Sequence, residues 1–353
     1  MLAYFFLLSV PMVFSLPAAA SKKKWHVFLL ASVFLFYLFF VGFRDHVGTD
    51  WGNYIGYFYK NLYTTFSEAL WGYEPGFALL TWLMIQLGWG IYGLNFFAAL
   101  VFHIGLFSYA GRCVNPWLAV ATVTPFLVVV IAMSASRQSM AIGIFLFMLS
   151  RWEKMGAPTK VALVLLASSF HMSAIVLLFF VVYDLTIPKV ARYPILAASA
   201  GLALVFLPRT EVFGYVQEEY LIQGIHSPGA LIHMSLNALP GILYFVFRGR
   251  MRELVSPPRV FEVLCFLSIA ALPAIVISST VADRLALYLS AVQMGVLSAL
   301  PSIAGHRVRS QLVKLAVLGY LALVLFTWLG FSNHAIGHFP YENYLITSGL
   351  LGF

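Results

Sequence analysis

The sequence predicts an all-α, polytopic integral membrane protein, and three observations carry that prediction. Hydrophobic residues fill 61% of the 353 positions and charged residues 10%, with a mean hydropathy of +0.90, outside the range of soluble globular domains. Apolar runs near the length a helix needs to cross hydrocarbon recur along the chain: Val27 to Phe43, Leu118 to Met133, Ile195 to Leu207, Val263 to Ile277 and Leu315 to Gly330. These runs are apolar on every face, whereas barrel strands alternate in polarity over about ten residues between turns. Helices close their own backbone hydrogen bonds inside lipid and therefore carry the fold.

The first element is "MLAYFFLLSVPMVFSLPAAASKKK". Its lysines, Lys22 to Lys24, follow the apolar stretch instead of preceding it as in a secretory signal, so it reads as a spanning helix with its N-terminus outside. With those lysines cytoplasmic and sides alternating at each span, Arg112, the Arg151/Lys154/Lys160 group, Lys189/Arg192, the Arg248 to Arg259 group and Arg307/Arg309/Lys314 fall inside. Of the 21 Lys and Arg residues, Arg44, Lys60, Arg137, Arg209 and Arg284 are left outside, so the net charge of +8 is a cytoplasmic-face effect and calls for no nucleic acid. Two segments must not cross singly if this parity is to hold. Glu74 to Trp89 reads as a re-entrant or interfacial helix on the outer face, and Thr159 to Asp184, broken by "SSFHMS", as two short helices meeting near that face at His171. The outcome is about twelve crossings, with both termini outside. One transmembrane domain spans residues 1–353, with outer loops near 44–90, 209–229 and 332–353. Cys113 and Cys265 offer neither a disulfide framework nor metal-ligand spacing.

Four polar constellations from distant parts of the chain converge on the outer side: Arg44-Asp45-His46-Val47-Gly48-Thr49-Asp50, Ser134-Ala135-Ser136-Arg137-Gln138, Phe170-His171-Met172-Ser173 and Asp283-Arg284-Leu285-Ala286-Leu287-Tyr288. A charge at a helix centre costs roughly 2.5 to 3.5 kcal/mol and less toward the interface, so arginines at the mouths of spans are tolerated but seldom idle. Plainer uses exist for each: Arg44 and Arg284 paired with Asp45 and Asp283, Arg137 reaching phospholipid headgroups, His171 as a satisfied polar break. Three arginines on the face that the positive-inside rule depletes point instead to a shared anionic ligand. Guanidinium forks match phosphate oxygens and keep their charge, so Arg137 and Arg284 suit a diphosphate, with Arg44 completing the clamp.

Trp51, Tyr54, Tyr57, Phe58, Tyr59, Tyr63, Trp71 and Tyr73 crowd the first outer loop, where rings either stack on sugar faces or form an interfacial belt. Tyr54, Phe58 and Phe66 suggest the spacing of an amphipathic surface helix. Proton transfer needs a base, and the outer face offers Asp50, Asp45, His46, Glu74 and His171. Asp50 follows Gly48 in a turn-prone stretch and His171 sits at a helix break, which makes these two the leading choices. Asp45 and Asp50 could share a divalent cation, but no His-x-x-x-His or paired-cysteine spacing is present, so no metal is expected. Neither a Gly-x-Ser-x-Gly elbow nor a Walker loop occurs.

Taken in order, Arg44-x-x-x-Gly48-Thr49-Asp50-x-x-x-Tyr54, Glu74-Pro75-Gly76-Phe77, Ser136-Arg137-Gln138 with Gly143, Phe170-His171-x-Ser173-Ala174, Asp283-Arg284-Leu285-x-x-Tyr288 and Pro340-Tyr341-x-Asn343 form a pattern. That pattern resembles the EpsG branch of the Wzy-type polysaccharide polymerases, bacterial membrane enzymes that build O-antigen and exopolysaccharide chains, nearly end to end. The resemblance implies a metal-independent, cofactor-free membrane glycosyltransferase, GT-C-like in fold, of the bacterial cytoplasmic (inner) membrane with its site facing the periplasm. Such an enzyme moves a growing glycan from undecaprenyl diphosphate onto a hydroxyl of the next lipid-linked repeat unit. The implied partners are the undecaprenyl-diphosphate-linked oligosaccharide, membrane lipids and a chain-length-regulating co-polymerase. Preplaced arginines suit this chemistry because the leaving diphosphate gains charge as the glycosidic bond breaks. Asp50 and His171 are then the catalytic candidates, and Arg44, Arg137 and Arg284 the diphosphate ligands. Asp45, His46, Tyr54, Glu74, Gln138, Asp283, Tyr288 and Tyr341 are supporting or sugar-binding. The Arg-x10-Gly pattern of other such polymerases is met among the outer arginines by Arg284 with Gly295, a match too easily accidental to weigh.

The rival from another class is a flippase-type transporter of lipid-linked or anionic sugars. It should place its charges near the midplane between inverted repeats, whereas these charges gather toward one face and no repeat is apparent. A membrane acyltransferase needs a His-Asp pair reaching a cytoplasmic donor, and His26 and His306 have no such partner in sequence.

Overall fold

In the computed structural model, which describes residues 1–16, 23–185 and 229–348, helix follows helix with a single two-residue strand pairing. The expected span 195–207, the outer loop expected at 209–229 up to residue 228, with Arg209, and Lys22, Lys189 and Arg192 lie outside those residues. Gly90–Ala110, Ser279–Ile303 and Arg307–Phe331 are each long and apolar enough to cross a membrane. Shorter apolar helices accompany them, among them Leu2–Ser15, Pro116–Ala132 and Ala230–Val246. By length and composition, therefore, three helices among the described residues are marked as able to cross, against the roughly twelve crossings expected.

The apolar runs and the helices differ where proline and capping intervene. The Val263 to Ile277 run is realised as Pro258–Ala270 followed by a 3₁₀ turn, Leu272–Val276, because Pro273 cannot continue the ladder. The Leu315 to Gly330 run sits inside Arg307–Phe331, which starts earlier where the His306 ring accepts the Val308 amide. Pro116–Val123 passes into a π-helix, Thr124–Ala132, at Pro125. Glu74 to Trp89 forms the helix Pro75–Gln86, which at about 18 Å is too short to cross. The segment 157–184 breaks as expected: Ala157–Phe170 ends at extended His171, and Met172–Leu177 with Leu178–Asp184 lead back.

The centre of the bundle is the crossing of Gly90–Ala110 with Ser136–Ser150. A Cβ on Gly105 would lie 1.8 Å from the Gly143 carbonyl oxygen, so the two backbones touch and only glycine fits. This contact positions the site, since the second helix carries Arg137 and Gln138 in its first turn. The strand pair joins the two ends of the sequence: β1 (Arg44–Asp45) runs antiparallel to β2 (Glu342–Asn343), with Arg44 opposite Asn343 and Asp45 opposite Glu342.

Candidate active site

Gly48 has φ +113, and a Cβ there would fall 2.0 Å from the Met133 carbonyl oxygen, so glycine lets this loop rest on the turn before Ser136. Thr49 N donates to Ser134 Oγ at 3.1 Å and Gly48 N to the Gly337 carbonyl at 2.7 Å. Tyr341 stacks on Phe40 with centroids 4.1 Å apart and donates its hydroxyl to the Phe40 carbonyl. The opening motif, the Ser134–Gln138 stretch and the closing motif thus share one seam.

Arg44 lies at the bottom of that seam, 2% exposed. Nη1 donates to the Val41 carbonyl, and Nη2 to Asn95 Oδ1 and Ser136 Oγ, all at 2.9 Å. The pairing of Arg44 with Asp45 is not formed, because Asp45 Oδ1 accepts from Tyr92 Oη and faces His46 Nδ1, each at 2.8 Å. The expectation that Arg44 grips diphosphate also meets an obstacle: a cation enclosed by neutral protein acceptors braces three segments and offers no open fork.

Glu74 is the hub of the neighbouring region. Its carboxylate accepts from Arg137 Nη1 at 2.7 Å through Oε2, and from His171 Nδ1 at 2.9 Å and Met172 N at 3.2 Å through Oε1. Gly76 permits this approach, since a Cβ there would lie 2.3 Å from Ser169 Oγ. Burial pushes the Glu74 carboxyl up, but the hydrogen bond from His171, the charge of Arg137 and the Met172 amide outweigh it and hold the group below its ordinary value. The Arg137 guanidinium also lies 5.9 Å from the Tyr54 ring centroid and 5.6 Å from that of Phe77, while its side chain stays 40% exposed.

Asp50 heads the helix Trp51–Lys60 but its side chain caps nothing. Burial raises its carboxyl above the ordinary value, opposed by Arg284, Arg137 and His334 and by a hydrogen bond with Asn53. Asp50 therefore lies within electrostatic reach of two arginines from distant segments. Arg284 is exposed on Ser279–Ala286, and its carbonyl accepts from Gln138 Nε2 at 2.7 Å, so the Arg137-Gln138 step also fixes the backbone carrying Arg284.

The remaining expected residues are held by neighbouring groups. Tyr54 accepts the Arg137 amide on its hydroxyl, Tyr288 meets Ser173 Oγ at 3.0 Å while 2% exposed, and half-buried Tyr341 stacks on Phe40. Asp283 Oδ2 meets His233 Nδ1 at 3.2 Å, and exposed His46 leans on Trp51. Phe66 belongs to a separate short helix, Phe66–Leu70, so the amphipathic surface helix ends at Lys60. Gly295 serves packing, as a Cβ there would lie 2.4 Å from the Phe261 ring. Sequence reading missed Asn95, His334, His233 and the Asn237–Gln293 pair, in which Gln293 Nε2 donates to Asn237 Oδ1 and Asn237 Nδ2 to the Ala286 carbonyl. The signal was available for two of these: His233 and Asn237 sit four apart, on one face of an otherwise apolar helix. Among the described residues Asp45, His46 and Glu342 bring three metal-type donor atoms within 4.8 Å of one another, and Asp50 is not among them.

Comparison with known proteins adds one match. The EpsG family model covers residues 27–343. No curated protein and no solved structure matches the chain.

Proposed function

Because the chain belongs to the EpsG family, we propose that it is a polysaccharide polymerase acting on lipid-linked oligosaccharides at the outer face of the inner membrane. The observation that carries this reading is the electrostatic grouping of Asp50 with Arg137 and Arg284, beside the Glu74–His171 pair. In the proposed step an acceptor hydroxyl attacks the anomeric carbon of the growing glycan, and the bond from that carbon to undecaprenyl diphosphate breaks. The bonding electrons leave with the diphosphate, whose growing charge Arg137 and Arg284 hold. The hydroxyl proton passes to Asp50, whose proton affinity is raised by burial, as suits a base. Glu74 and His171 position Arg137, and enclosed Arg44 braces the wall that carries Asp50. A single displacement of this kind inverts the anomeric centre.

The test is chain lengthening by the purified protein given its undecaprenyl-diphosphate repeat unit in detergent. Elongation that disappears in Arg137→Ala and Arg284→Ala supports the reading. Movement of unmodified lipid across vesicles, without elongation, overturns it in favour of transport.

A further inference from the structure

A charged cavity lies away from the candidate active site. The helix Ala230–Val246 carries His233 near its start, beside Asp283, and Arg248 follows fifteen residues later, about 22 Å along the axis. There Arg248, Arg252 and Arg259 line a cavity of 480 Å³ with Asp184 and Glu262. The acids are already engaged. Glu262 pairs with Arg248 at 2.5 Å, and Asp184 accepts from Lys160 Nζ at 2.8 Å and Trp152 Nε1 at 2.7 Å. Among the described residues, Arg252 and Arg259 have no acidic partner, so the cavity carries uncompensated positive charge. Its flank is apolar: Phe245, Val263 and Phe266 line the same space, with Phe266 60% exposed.

We propose that this cavity binds the phosphodiester headgroup of an anionic phospholipid, with Arg252 and Arg259 on the phosphate and the acyl chains along Phe245 and Phe266. Forked guanidiniums match phosphate oxygens, and a basic pocket opening between apolar helix faces takes a headgroup and its chains together. A free anion would use the arginines and leave the phenylalanines exposed. The site is separate from the candidate active site and stands whether or not the polymerase reading holds.

The test is native mass spectrometry of the full-length protein in detergent, titrated with phosphatidylglycerol or with phosphatidylcholine. Preferential retention of phosphatidylglycerol is expected, weakened roughly fivefold for each arginine removed in Arg252→Gln/Arg259→Gln and less in Arg252→Lys/Arg259→Lys, which keeps the charge but loses the fork. Arg307→Gln/Arg309→Gln, on the adjacent helix start, should leave retention unchanged. Equal loss in that pair would mean diffuse surface charge and overturn the proposal. Displacement of the lipid by millimolar inorganic phosphate would mean a free-anion site and overturn it as well, as would equal retention of phosphatidylcholine.

Discussion

Asp50 and Glu74 occupy equivalent local positions, one before the helix Trp51–Lys60 and the other before Pro75–Gln86, and neither caps its helix through its side chain. Their surroundings send them opposite ways. Glu74 is 5% exposed and takes hydrogen bonds from Arg137, His171 and the Met172 amide, so its charge is stabilised below the ordinary range. Asp50 is half-buried, within reach of arginines that do not offset its desolvation, and its proton affinity rises. On the proposed reading one carboxylate serves architecture and the other acts as the base, at a cost in stability. A carboxylate near arginines is thus no guide to role until its contacts are known.

Breaking the reactive member should give the largest effect. Asp50→Asn is expected to cut chain lengthening by about 10² to 10⁴, the range for loss of a general base. Because the Asp50 carboxyl is raised in the folded state, its ionised form opposes folding above its unfolded value. Asp50→Asn should therefore melt no lower than the parent at neutral pH, measured by tryptophan fluorescence in detergent. A large drop in melting temperature would reassign Asp50 to architecture. Next, Arg284→Ala should lower elongation by about 10² to 10³, as for removal of one preorganised donor to a developing anion, with the fold retained.

The architectural member should behave in reverse. Glu74→Gln leaves Arg137 and His171 without their charged acceptor and should destabilise by about 1 to 3 kcal/mol at neutral pH. Its lowered carboxyl contributes stability that is present above the unfolded value and lost as pH falls through the folded one. The melting gap between Glu74→Gln and the parent should accordingly close on acidification, and a gap independent of pH would remove the carboxylate's charge from the explanation. The smallest effect is expected for Tyr54→Phe, which deletes the acceptor of the Arg137 amide and should cost about 0.5 to 1.5 kcal/mol with elongation within a few-fold of the parent.

Much of this was legible beforehand because short motifs with glycines at fixed places report backbone approaches. Gly48, Gly76 and Gly143 each mark a contact that a Cβ would block, and the segments carrying them do meet. The break at His171 was readable from polar residues inside an overlong apolar run. The burial of Arg44 was not, since its acceptors Val41, Asn95 and Ser136 come from three segments and two of them are neutral side chains with no distinctive spacing. Nor was the hub role of Glu74, which depends on three donors at once.

The sequence by itself determined a nearly all-helical membrane chain, the motifs that gather, and where its basic residues fall along the chain. These follow from composition and from position along the chain, to which hydropathy and charge asymmetry respond directly. Tertiary structure alone decided which arginine is enclosed and which is exposed, and which carboxylate is stabilised as the ion and which has its proton affinity raised. Desolvation and pairing act over a few ångströms between residues tens to hundreds of positions apart, and no local pattern encodes that distance.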